Sequence, residues 1–179
     1  MKRFFGLIIF IVACSSASSQ SRFGAETARL TFFSDGTIED IQASNTKVIS
    51  IFDGNKGDIA FLIRVKDFQF DKKMMQIHFN EKFLESEKYP KSTFLGSVVG
   101  FDLNKAGVQQ VIAVGKLFIH GVTREVKIPG TLEKKGSNVY LKSKFLLKLS
   151  DYNISIPQIV WQNIAEDVEV KLDLSFTPL

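Results

Sequence analysis

The chain has 179 residues, 45% of them hydrophobic and 23% charged, with only 4 Pro. That is enough for one domain with a sizeable core, and it excludes a disordered or low-complexity protein. Lys and Arg number 23 against 19 Asp and Glu; the lysines are spread along the strands, mostly alternating with apolar residues, which excludes the clustered basic face of a nucleic-acid binder.

The first twenty residues, MKRFFGLIIFIVACSSASSQ, run from a basic start through an apolar stretch, Phe4 to Ala13, to small polar residues. The stretch is too short for a permanent membrane span and predicts a signal peptide over residues 1–19, with a mature start near Gln20. Ile11-Val12-Ala13-Cys14 also resembles a bacterial lipoprotein box. On that alternative the signal ends at 13, and a lipidated Cys14 gives membrane association. Both routes expect export, to a periplasmic or secreted location or to a lipid anchor in the envelope. Neither leaves a cysteine in the domain, so no disulfide and no thiol nucleophile is expected.

From residue 22 onward, apolar and polar residues alternate with period two, the mark of half-buried strands. Phe61, Ile63 and Val65 alternate with Leu62, Arg64 and Lys66; Met75, Ile77 and Phe79 alternate with Met74, Gln76 and His78. The same holds for Val139 to Leu149 and for Val168 to Phe176. Turn signals separate the runs at Ser34-Asp35-Gly36, Asp53-Gly54-Asn55, Asn104-Lys105-Ala106-Gly107 and Lys135-Gly136-Ser137-Asn138. The longest runs span roughly 30 Å as strands, which suits the tilted wall of a barrel. About eight to ten strand candidates joined by short turns imply an all-β antiparallel meander that closes into a barrel or folds into a sandwich, and the strand lengths favour the barrel.

Asn80 to Pro90 breaks the alternation. Asn80 suits a helix N-cap, Glu81 its positive end and Pro90 its stop, so one short helix is expected near residues 80–89, lying across an open barrel end with Phe83 and Leu84 as its apolar side. Seventeen Phe stand against 1 Trp and 3 Tyr. A ring without a polar handle serves a packed core and a cavity wall equally well.

No catalytic constellation is visible. His78 and His120 are the two histidines, neither in a zinc-ligand spacing, and no nucleophile elbow or phosphate-binding glycine loop occurs. No catalytic residue, metal site, cofactor or nucleic-acid partner is expected. His120-Gly121-Val122-Thr123 reads as a bend between two strands, with a ligand head-group contact by His120 as the alternative. A hydrolase or isomerase built on His120 would need a carboxylate beside it and a pocket opening onto it.

Three stretches in order resemble the YceI-like family. His78-Phe79-Asn80-Glu81-Lys82-Phe83-Leu84-Glu85-Ser86-Glu87-Lys88-Tyr89-Pro90-Lys91-Ser92-Thr93-Phe94 is similar to its segment leading through Tyr-Pro to a strand opening with Thr-Phe. Gly115-Lys116-Leu117-Phe118-Ile119-His120-Gly121-Val122-Thr123 is similar to its Gly-x-Leu strand ending in (His or Arg)-Gly-Val-Thr. Asp151-Tyr152-Asn153-Ile154 fits its late Asp-(Tyr/Phe)-x-Ile run. The resemblance covers residues 22–178 and implies an all-β, antiparallel, eight-stranded, lipocalin-like barrel, not an enzyme, whose apolar tunnel binds an isoprenoid or related lipid. The chain departs at Thr27 to Ser34, where many members carry His-Ser-x-(Val/Ile)-x-Phe, so no head-group contact carries over from that strand.

Alternation then nominates the inner wall. If Leu117 and Ile119 point inward, so do Ala113 and Gly115, and their small size leaves room along the axis. The candidate lining residues are Phe61, Ile63, Phe94, Ala113, Gly115, Leu117, Ile119, Phe145, Leu147, Leu172 and Leu174. A barrel filled by these side chains, acting as a structural or interaction protein of the envelope, is the alternative.

Overall fold

The computed structural model describes residues 21–36, 40–155 and 166–179; the expected signal peptide and Cys14 lie outside the described residues. Within them, ten strands form one antiparallel sheet: β1 (Arg22–Ser34), β2 (Ile41–Asn45), β3 (Ile49–Asp53), β4 (Asp58–Arg64), β5 (Gln69–Phe70), β6 (Lys91–Val99), β7 (Gly107–Ile119), β8 (Val122–Lys135), β9 (Asn138–Lys148) and β10 (Asp167–Pro178). Eight of them close a ring in the order β1-β3-β4-β6-β7-β8-β9-β10, with β10 returning to β1. This is the lipocalin-like barrel expected, extended by β2 and β5.

β1 serves two partners on one edge. Its start pairs with β3, and its end, Leu30 to Ser34, pairs with β2. The break between β2 and β3 is organised by buried Asn45. Its side-chain Oδ1 accepts from Lys47 N at 2.8 Å, and its Nδ2 donates to Arg64 O at 3.1 Å. The buried amide thus uses both its donor and its acceptor end where the edge switches partner.

Inward-facing residues differ along the barrel axis. At the lower end, where β1 begins, Phe23, Phe52, Leu132, Val139 and Phe176 are packed solid, with Phe52 and Phe176 at 0% exposure. The Phe52 ring lies 5.6 Å from Phe101 and 5.9 Å from Phe176, centre to centre. At the upper end a short helix, α1 (Lys73–His78), runs into a π-helical turn over Phe79–Phe83.

This helix corrects one reading. Met74 to Phe79 does not form a strand, and the helix starts at Lys73 without Asn80 as its cap; Asn80 Nδ2 instead donates back to Gln76 O at 2.8 Å. Met75 and Phe79 are four residues apart and share a helix face, so over so few residues a period of two and a period of 3.6 select the same apolar positions. Phe79 then sits among Phe70, Phe32 and Phe68, with ring centres 5.0, 5.4 and 5.4 Å away. The helix does lie across the barrel end, as expected.

Candidate ligand-binding cavity

Between the packed lower end and the α1 cap lies a cavity of about 400 Å³. That falls in the range of small-molecule sites, ~300–1,000 Å³. Its wall comes from the inner faces of the long strands. Leu30 and Phe32 line it from β1, Phe61 and Ile63 from β4, Phe94 from β6, Ala113, Leu117 and Ile119 from β7, Phe145 and Leu147 from β9, and Val168, Val170 and Leu172 from β10. Phe83 and Leu84 close it from above. Its polar side chains are Ser34, His78, Ser92 and Ser143, and no Asp, Glu, Lys or Arg lines it. Such a surface solvates hydrocarbon and would strip a buried charge of water without replacing it.

Two nominated residues do not line this space. Gly115 lies opposite Gly96 across β6 and β7. A Cβ at Gly115 would stand 2.3 Å from Leu95 O and 2.5 Å from Gly96 Cα, so the glycine permits a close strand approach and borders no void. Leu174, 1% exposed, belongs to the packed lower end. It has the right face of β10 but the wrong height. Sequence reasoning also passed over Leu30, Phe32, Val48, Phe68, Phe70, Phe79, Leu149 and Ile154 as lining residues. The β1 pair stood in a readable alternation; the others lie on loops, short elements and the helix, where no periodicity marks a face.

His120 is not part of the cavity wall. His120 and Gly121 form the two-residue turn between β7 and β8, with φ of 49° and 80°, as a type I′ hairpin turn requires. The imidazole, 9% exposed, has Nδ1 3.1 Å from Tyr152 O and Nε2 2.8 Å from Glu85 Oε2. Its ring meets Tyr89 at 4.5 Å. The turn is thereby fastened to the segment after α1 and to the 3-10 turn Leu149–Tyr152. A carboxylate does stand beside His120, but the cavity does not open onto it. Burial pushes the Tyr152 phenol above its ordinary range. Among the described residues, no group of three or more His, Cys, Asp or Glu could hold a metal ion.

The YceI-like domain family matches residues 13–176. No curated protein matches the chain. Solved structures share its fold. A polyisoprenoid-binding domain from Saccharophagus degradans has a TM-score of 0.75 at 14% identity, over 89% of this chain and 99% of that one. Burkholderia cenocepacia BcnA has 0.70 at 20%, over 83% and 95%, and a Campylobacter jejuni YceI protein 0.57 at 13%, over 98% and 97%. A family match across nearly the whole sequence and a closed barrel of the same architecture lead to one conclusion: the chain belongs to the YceI-like family.

Proposed function

We propose that this protein holds a long-chain apolar lipid, an isoprenoid or a related molecule, inside the barrel, as a carrier, store or sensor in the cell envelope. The observation that carries the reading is the cavity itself: set between the packed lower end and the α1 cap, lined almost wholly by hydrocarbon, and without an Asp, Glu, Lys or Arg in its wall. Each buried CH₂ of a ligand gains about 0.8 kcal/mol, so a chain of three or four isoprene units recovers more than the cost of immobilising it. A barrel serving only as a scaffold gains nothing from such a void, because unfilled space forfeits dispersion contacts. The polyisoprenoid-binding domain of the same fold supports the ligand class. The basic and apolar N-terminus supports an exported location, with Cys14 as the site of an anchor if it is acylated.

Protein purified from its native envelope is expected to carry a lipid detectable by mass spectrometry after organic extraction. Stripped protein is expected to take up N-phenylnaphthylamine with a rise in fluorescence. Ala113→Phe, which places a ring in the open wall, should reduce uptake at least ~tenfold, equivalent to about 1.4 kcal/mol of binding, while the far-ultraviolet circular dichroism stays that of the parent. An extract without lipid, together with uptake unaffected by Ala113→Phe, overturns the reading.

A further inference from the structure

Between β8 and β9 the wall is only half built. β8 pairs with β9 from Gly130 to Lys135, against Ser143 to Asn138. From Val122 to Pro129 it pairs only with β7 among the described residues, and β9 from Lys144 to Lys148 pairs only with β10. The ladder stops at Pro129, which has no N–H to offer a neighbouring strand. There the Ser143 hydroxyl donates to Pro129 O at 2.6 Å. Higher up, Arg124 Nε donates to Asp151 O at 3.0 Å and spans the same side of the barrel again. What remains is a window about five residues, or roughly 15 Å, tall.

The cavity reaches this window from inside: Ile128 and Pro129 line it from one rim, Phe145 and Leu147 from the other. Pro129, Gly130 and Ser143 also border a depression on the outer surface, so at this place the same residues face both sides of the wall. Leu146, on the outer rim, is 68% exposed.

We propose that the lipid enters and leaves sideways through this window. The inference rests on the cavity being a lipid site. Every other passage requires bonds or packing to be undone. The lower end is filled by Phe52 and its neighbours, Phe79 in its cage of rings covers the upper end together with Phe83 and Leu84, and the other unpaired stretch of the ring, Ala25 to Arg29 of β1 between its pairings with β3 and β2, lends no residue to the cavity lining. Widening the window breaks no backbone hydrogen bond between β8 and β9, since none spans it. The N–H and C=O groups on its rims that no ladder between β8 and β9 pairs can turn to water, while the side chains behind them are apolar. A hydrocarbon chain can therefore pass from solvent to cavity by parting two strands that are held only at their ends.

The test is a staple across the window. Continuing the β8–β9 register past Pro129 sets Lys127 opposite Leu146, both facing outward. In a Cys14→Ser background, which removes the one native cysteine, Lys127→Cys and Leu146→Cys are joined with a bis-maleimide. Glu133→Cys and Tyr140→Cys, register partners in the paired half, carry the same staple as a control. Uptake of N-phenylnaphthylamine is followed by stopped-flow fluorescence. The window staple should slow uptake about tenfold with the final amplitude unchanged, because it bars a route and leaves the cavity intact; the control staple should leave the rate as it was. Equal rates in every form overturn the window while leaving the lipid site standing. No uptake in any form, stapled or not, overturns both.

Discussion

At the scale of single residues, the barrel is set by places where an atom more or less is decisive. Gly96 and Gly115 face each other across β6 and β7, and a Cβ on either would stand within 2.4 Å of a backbone carbonyl oxygen. Backbone cannot yield as a flexible side chain can. Gly115→Ala is therefore expected to lower stability by about 2–3 kcal/mol, the range for overpacking a well-filled site, read as a lower urea midpoint at unchanged slope. A midpoint within error of the parent would show that the two strands can part without cost. His120 works in the opposite sense, by joining. Both of its ring nitrogens face oxygens from distant segments, so the family-like run His120-Gly121-Val122-Thr123 is explained by the turn and its fastening, without any contact to a ligand.

At the scale of elements, the sequence was legible where one periodicity operated alone. Phe61 and Ile63, Phe145 and Leu147, and Leu172 all stand on the cavity face that their alternation nominated. Alternation assigns a face but not a height, which is why Leu174, on the same side of β10, is sealed into the lower core instead. The helix was placed at the right barrel end but began earlier than read, since Met75 and Phe79, four residues apart, satisfy two periods at once. The half-paired wall could not be read at all: hydrogen bonding between neighbouring strands has no signature in the order of side chains, and Pro129 was its sole hint. The α1 cap carries a prediction of its own. Phe79 packs against Phe32, Phe68 and Phe70, so Phe79→Ala should cost about 3–5 kcal/mol. Amide exchange should quicken through Lys73–Phe83 ahead of the ladder between β7 and β8. Uniform quickening would mean that the cap and the barrel unfold together.

At the scale of the whole molecule, the Phe content has two uses that differ in energetics. Below the cavity the rings are the core: Phe52 touches Phe23, Phe101 and Phe176 and is wholly buried. Around the cavity the rings border space: Phe145 is half-buried on a wall that already faces a void. Large-to-small substitution costs the lost transfer energy plus a term that grows with the new cavity. Phe52→Ala opens a hole in close-packed surroundings and should cost about 3–5 kcal/mol. Phe145→Ala loses contacts on one side only, enlarges an existing space and should cost less than about 2 kcal/mol. The two variants should also part in binding, because only the second widens the chamber: Phe145→Ala should keep or raise the amount of N-phenylnaphthylamine bound at saturation. Urea unfolding and probe titration of the same two preparations decide the matter. Equal destabilisation would mean that the rings around the cavity are packed as tightly as those beneath it, and that the space between the two barrel ends closes in solution.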